Sequence, residues 1–237
     1  MLFKIIGDVH SNFKNYQILI ESAPFSICVG DVGFNYDYLI DNIDPLAHRF
    51  IAGNHDNYDI IDTVPHFLGD YGEVKTPIGN VFFVRGAFSI DGKVRAIKDK
   101  VLNEKTFWPE CEELSYSQAL QAFEYYKQLK PKMIISHECP FGILPYLTMK
   151  HMTKNFGYKH ENLRTLTNNL LQCMLEYNAP KIHCFGHYHQ KWYKMINNTL
   201  FICVKDQRCV TFMEDGRIRY GKNLLKYNWK TLLGEDI

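Results

Sequence analysis

A chain of 237 residues is long enough to bury a sizeable core without disulfide or metal staples, and its length fits one large domain spanning 1–237. Its 46% hydrophobic and 22% charged residues are the proportions of a soluble globular protein. A formal net charge of +1 excludes a global field that would draw the molecule to nucleic acid or to a membrane surface, though not a local basic patch.

The seven cysteines are odd in number and include no Cys-x-x-Cys pair, and most sit in apolar runs such as Ile27-Cys28-Val29 and Ile202-Cys203-Val204. They are expected to be reduced, buried thiols of an intracellular protein rather than a disulfide framework. The opening MLFKIIGDVHSN turns polar too soon for a signal peptide or a membrane span, so a cytoplasmic location is expected.

In chain order, Leu2 to Ile6 is an apolar run closed by Gly7-Asp8, the pattern of a buried strand feeding a loop. Tyr16 to Ile20 is expected to be helical. Phe25 to Val29 is a second apolar run, again closed by Gly-Asp, and Phe50 to Ala52 repeats the pattern before Gly53-Asn54. Val81 to Val84 predicts a strand ending near Gly86. Tyr116 to Leu129 predicts an amphipathic helix stopped by Pro131, and Met133 to Ile135 a strand leading into Ser136-His137. Asn162 to Tyr177 predicts a further helix, and Ile182 to Phe185 a strand running into Gly186-His187. From Trp192 to Tyr220 come short β-like runs with turns at Asn197-Asn198 and Asp215-Gly216. Alternating strands and helices followed by hairpins predict an α/β fold of layered mixed sheets flanked by helices.

Five of these strand ends carry metal-binding chemistry. Asp8-Val9-His10 places a carboxylate and an imidazole two residues apart, hence on one side of an extended segment. Gly30-Asp31 and Gly53-Asn54-His55-Asp56 follow, each with a glycine that lets backbone turn sharply or approach closely. His137 and the alternating pair His187 and His189 complete the series. Singly each is weak, because a lone histidine at a strand end is more often a surface or hydrogen-bonded residue. Jointly the mixture of imidazole and oxygen donors suits Mn, Fe or Zn over an all-oxygen calcium site, and the absence of cysteine argues against structural zinc.

The order Asp-x-His, Gly-Asp, Gly-Asn-His-Asp, His, Gly-His-x-His resembles the calcineurin-like metallophosphoesterase superfamily. That resemblance implies two mixed β-sheets packed face to face with helices outside. It also implies two divalent metal ions, manganese first, with iron, zinc or nickel as alternatives. One would be held by Asp8, His10, Asp31 and His189. The other would be held by Asp31, Asn54, His137 and His187, with Asp31 bridging. His55 would be the catalytic acid, and Asp56 would orient it or the metal shell. Paired metals about 3.5–4 Å apart can clamp both attacking and leaving oxygens. The implied reaction is attack on phosphorus by a metal-bridging hydroxide, with protonation of the leaving oxygen by His55 and no phosphoenzyme.

The stretch Gly30-Asp31-Val32-Gly33-Phe34-Asn35 lacks the arginine that protein Ser/Thr phosphatases and diadenosine tetraphosphatases of the superfamily carry there. This favours small phosphate mono- or diesters, nucleotides among them, over phosphoproteins. Gly86-Ala87-Phe88-Ser89-Ile90-Asp91, then Arg95 and Phe107-Trp108-Pro109-Glu110, resembles a pattern in bacterial and phage members and is expected to form a loop near the metals. There Arg95 would grip a phosphate and Trp108 would stack on a ring; the alternatives are a solvated charge and a core anchor. Lys150, His151, Lys154, Lys159, His160 and Arg164 would form a basic rim or a solvated helix face. His48, His66 and His183 are assigned structural roles, and Glu138 and Cys139 are expected to shape the turn beside His137. A nuclease, a protein phosphatase and a non-catalytic protein-binding version of the fold are the competing functions. Nucleic acid as a partner and the oligomeric state are left open; a membrane partner is not expected.

Overall fold

The structure is a computed structural model that describes residues 2–147, 156–158 and 163–235. Two six-stranded mixed sheets form its frame. The first contains β1 (Phe3–Ile6), β2 (Ser26–Cys28), β3 (His48–Phe50), β10 (Cys209–Phe212), β11 (Arg217–Tyr220) and β12 (Asn223–Asn228), in the order β12-β11-β10-β1-β2-β3. The second contains β4 (Tyr71–Thr76), β5 (Gly79–Val84), β6 (Met133–Ser136), β7 (Ile182–Phe185), β8 (Trp192–Ile196) and β9 (Thr199–Cys203), in the order β4-β5-β6-β7-β9-β8. β1, β2 and β3 run parallel, as do β5, β6, β7 and β9, and the remaining pairings are antiparallel.

The parallel strands are short runs buried along their length, because both faces are covered. Alternation sorts their side chains between two environments. Phe3, Ile5 and Ile27 of one sheet meet Val81, Ile135, Ile182 and Ile202 of the other in the central core. Ile6, Cys28 and Phe50 face outward onto α1 (Phe13–Ile20) and α2 (Asp37–Asn42), through Tyr16, Ile20 and Leu39. Phe82, Val84 and Ile134 face outward onto α4 (Tyr116–Leu129) and α5 (Leu166–Tyr177), through Ala122, Tyr126, Leu171 and Met174. Each fully buried Ile or Phe stabilises this arrangement by about 1.5–3 kcal/mol. Both outer helices of the second layer open with a capping box, Ser115 with Gln118 and Thr165 with Asn168.

The layered α/β expectation holds, with local differences. The strand expected over Phe50 to Ala52 is His48–Phe50, with Ile51 and Ala52 buried in the loop beyond it. The last long helix begins at Leu166, after its Thr165 cap, rather than at Asn162. The segment after Asp91, expected as a loop, is the helix α3 (Gly92–Leu102). Among the described residues no helix is long and apolar enough to cross a membrane. All seven cysteines are free; Cys28, Cys139, Cys184 and Cys203 are buried, and Cys111 and Cys173 are exposed.

Candidate metal centre

Parallel strands put their carboxyl ends on one side, and the polar clusters all follow such ends. Asp8 and His10 follow β1, Asp31 follows β2, and Asn54 and His55 follow β3. His137 follows β6, and His187 and His189 follow β7. The turns that aim these side chains are tight. His10, Asp31, His187 and His189 have φ of 48°, 52°, 65° and 53°, the left-handed region that non-glycine residues rarely adopt. Two glycines make room for the close approach: a Cβ at Gly30 would collide with the His137 ring, and one at Gly53 with the Asp31 carboxylate.

The donors converge in two groups. In the first, His189 Nε2 lies 3.1 Å from Asp8 Oδ2 and 3.0 Å from His10 Nε2, and His10 Nε2 lies 3.9 Å from Asp31 Oδ2. One donor atom from each of Asp8, His10, Asp31 and His189 fits within 4.8 Å of the others, close enough to hold a metal ion. In the second, His137 Nε2 lies 3.1 Å from Asn54 Oδ1 and 3.3 Å from Asp31 Oδ1, and the His187 ring centroid is 5.1 Å from that of His137. Asp31 thus turns one oxygen to each group.

The hydrogen bonds show why these groups suit a cation. His137 Nδ1 donates to the Val29 carbonyl at 2.7 Å, so Nε2 offers a lone pair once it is deprotonated. Burial favours that step, but the Asp31 and Asp8 carboxylates outweigh it, raise the ring's pKa and resist the step until a cation takes the proton's place. That lone pair faces an amide oxygen and a carboxylate oxygen, because Asn54 spends its Nδ2 on Ser89 Oγ at 2.9 Å. Acceptors converging on acceptors repel unless a proton or metal lies among them. Spacings of 3.0–3.3 Å are those of adjacent ligands on an ion with bonds of about 2.0–2.2 Å. The residues present therefore fit a pair of divalent metals.

Electrostatics agree with this picture. Burial pushes the Asp31 carboxyl up, but the imidazoles of His137, His55 and His10 outweigh it and hold Asp31 below the usual carboxylate range. Burial and the neighbouring His137 push His187 well down, keeping it neutral as a metal ligand must be. His55 is also lowered, mainly by burial, against the pull of Asp31 and Asp91. Its ring is 28% exposed, with Nε2 3.8 Å from Asp91 Oδ2. His55 and Asp91 border a cavity of about 160 Å³ whose wall also includes Ile90, Phe156 and four of the ligand candidates.

Asp56 works on the loops rather than on the His55 ring. Its carboxylate accepts from the backbone of Val32, Gly33 and Gly53 at 2.9, 3.0 and 2.7 Å, and from the Tyr36 hydroxyl at 3.2 Å. It therefore ties the loop carrying Asp31 to the loop carrying Asn54. Burial and the charge of Asp31 push its carboxyl up to about 7, while the amide donors pull it back.

Arg95 and Trp108 are not placed to touch a substrate. Arg95 is 6% exposed, and its guanidinium is engaged by Glu112 at 3.0 Å, Ser89 Oγ at 2.7 Å and the Asn54 carbonyl at 3.0 Å. Trp108 is 5% exposed, against the rings of Phe34 and Tyr58. Burying an arginine requires partners, and both terminal nitrogens have them, Nη2 through the Thr106 carbonyl. Of the expected basic segment, Lys150, His151, Lys154, Lys159 and His160 lie outside the described residues, while Arg164 stacks over the Phe141 ring at 4.1 Å. His48, His66 and His183 bond Ser26 Oγ, the Ile43 carbonyl and Ser136 Oγ respectively. Glu138 accepts the Cys139 N–H at 2.9 Å, which shapes the turn after His137. Sequence reasoning gave no role to Ser89, Asp91 or Glu112. Ser89 and Asp91 follow the β5 strand end, the same placement that marked the other clusters.

Comparison with known proteins identifies the frame. The family model described as calcineurin-like phosphoesterase matches residues 1–191, a span that includes every ligand candidate from Asp8 to His189. No curated protein matches the sequence. A dimetal phosphatase from Danio rerio superposes with a TM-score of 0.54 at 12% identity, covering 97% of this chain and 99% of that one. GAP50, the anchor in the inner membrane complex of Plasmodium, superposes with a TM-score of 0.53 at 10% identity, covering 96% and 88%. At such identities the likeness is one of fold: two mixed sheets flanked by helices. The family match, together with that fold, makes the chain a member of the calcineurin-like phosphoesterase family.

Proposed function

We propose that residues 1–237 form one catalytic domain, a dinuclear metal-dependent phosphoesterase that hydrolyses a small phosphate mono- or diester, with nucleotides among the candidate substrates. The observation that carries this reading is Asp31, whose Oδ2 faces His10 and whose Oδ1 faces His137 and the Asn54 amide side. Asp8, His10, Asp31 and His189 would hold one ion, and Asp31, Asn54, His137 and His187 the other. Manganese is the first candidate and iron, zinc or nickel the alternatives. When bound, such ions neutralise phosphoryl charge and lower the pKa of a coordinated water toward 7.

The chain's own groups do the rest. His55, half-exposed at the cavity, is placed to give a proton to the leaving oxygen. Burial lowers the His55 pKa, and the Asp31 and Asp91 carboxylates pull back toward the protonated ring that such a donor needs. Ile90 and Phe156 supply an apolar wall for the organic part of the ester. Asn35 lies where phosphoprotein-directed relatives carry arginine, which supports a small substrate over a phosphopeptide; the ring of its neighbour Phe34 is 6.5 Å from that of His55. The seven unpaired thiols support a reducing, cytoplasmic setting.

The test is a purified preparation with added manganese, assayed on p-nitrophenyl phosphate, bis-p-nitrophenyl phosphate and cyclic nucleotides. Turnover of at least one ester with two ions per chain is expected. Two bound ions with no turnover of any ester would favour a protein-binding role for the fold, and phosphopeptide release at comparable rates would favour a protein phosphatase.

A further inference from the structure

The second ion site depends on an asparagine, and an asparagine ligand has a problem that a carboxylate does not. Its amide has two ends of nearly equal size, and only the oxygen can bind a metal. Something must decide which end faces His137 and Asp31.

Ser89 meets the other end of that amide, with Arg95 bonded to Ser89 and Glu112 paired to Arg95 behind it. All three are buried, at 4%, 6% and 2% exposure, as is Asn54 at 2%. A serine hydroxyl has one proton and two lone pairs. Arg95 Nη1 holds the Glu112 carboxylate at 3.0 Å as well as Ser89 Oγ, so an ionised carboxylate, which can only accept, sits beside the hydroxyl and draws its proton. Arg95 Nη1 donates to Ser89 Oγ at 2.7 Å and takes one lone pair. The remaining lone pair can only accept, and it receives Asn54 Nδ2 at 2.9 Å. A flipped amide would press its oxygen against this lone pair with no proton between them, leaving two buried acceptors unsatisfied. The same Arg95 Nη1 also donates to the Asn54 carbonyl at 3.0 Å, holding the backbone of that residue.

We infer that Ser89, gripped by Arg95 Nη1 on one side and by Asn54 Nδ2 on the other, is a positioning residue that fixes the Asn54 side chain with its oxygen toward the second metal site. The inference rests on the reading of Asn54, Asp31, His137 and His187 as ligands. It gives Arg95 a role that its sequence position had suggested for substrate binding, one step further from the chemistry.

The experiment is manganese binding by calorimetry and metal analysis at pH 8, on the full chain, with the variants S89A, S89T, N54D and the double variant N54D/S89A. Removing a partner that orients a ligand characteristically costs 10- to 100-fold in metal affinity. In S89A the site built on Asn54, His137 and His187 is expected to lose tenfold or more in manganese affinity, while the site built on Asp8, His10 and His189 keeps its affinity. S89T, which retains the hydroxyl, is expected to stay within about threefold of the parent. In the N54D background the two side-chain oxygens are equivalent and there is no orientation to select, so adding S89A is expected to change affinity less than threefold. Equal losses from S89A in both backgrounds would overturn the inference, because they would mark Ser89 as packing rather than as the selector of the amide. Unchanged affinity in S89A would overturn it too. A parent chain that binds fewer than two ions would instead refute the ligand assignment itself, and the inference with it.

Discussion

At the scale of single residues, His55 and Asp31 divide two duties that lie close in space. Asp31 is the carboxylate proposed to be shared, and its Oδ1 also accepts the His55 backbone N–H at 2.7 Å, so it steadies the loop that carries the proposed acid. His55 itself points to the cavity and toward Asp91 rather than into either donor group. His55→Ala is therefore expected to retain both ions and lose about 10²- to 10⁴-fold in kcat. Asp31→Ala is expected to lose metal as well as turnover, since each donor group loses a member. Metal content measured on both variants separates the roles; equal metal loss would refute the division. The ligand candidates were legible in the sequence because they follow the ends of apolar runs, behind a glycine at every such end but that of His137, and because each is a residue type with few other reasons to recur there. Ser89 and Glu112 were not legible, because their contribution is a direction of hydrogen bonding, and that is set only when three segments meet.

At the scale of elements, the strands that feed the site were readable from apolar runs, while α3 was not. Periodicity reading assumes that the apolar face of a helix is the buried one. In α3 the buried face carries Gly92 and Arg95, with the half-buried Asp99 bonded to Thr106, while Val94, Ile97 and Val101 are 56%, 65% and 76% exposed. The polarity is inverted because this helix packs against a polar network behind the metal centre rather than against a hydrophobic sheet. The strand β7 holds another feature with a measurable outcome. His183 is 1% exposed, Nε2 is bonded to Ser136 Oγ, Nδ1 has no partner, and burial pushes its pKa down to about 3. The folded state therefore favours the neutral ring. Its contribution to stability is complete above the ordinary histidine pKa of about 6.5 and is lost as pH falls from there toward 3. Each pH unit in that window costs about 1.4 kcal/mol. His183→Gln is expected to flatten the fall in urea midpoint between pH 7 and pH 5 relative to the parent; parallel curves would show that His183 does not titrate with folding.

At the scale of the whole molecule, the α/β layering followed from the order of elements, but the pairing of sheets could not be read that way. β10 joins β1 and β9 joins β7 through contacts distant in sequence, and no local pattern states which sheet a hairpin will extend. The ligand candidates divide along the same seam. Asp8, His10, Asp31 and Asn54 come from the first sheet, and His137, His187 and His189 from the second. Filling the site should therefore stabilise the fold by mass action, by about 2.7 kcal/mol at a free metal concentration one hundredfold above the dissociation constant. Chelation is expected to lower Tm, and readdition of manganese to restore it; an unchanged Tm in a chain shown to bind metal would argue against ligands drawn from both layers.

Because each donor group takes members from both layers, an ion seated there acts as a rivet through the sandwich. Sliding one sheet against the other by even an ångström would pull imidazoles away from carboxylates, so interlayer registry and the grip on a cation become a single mechanical variable. Substitutions in the central core, remote from any phosphate, then register first as a loosening of metal.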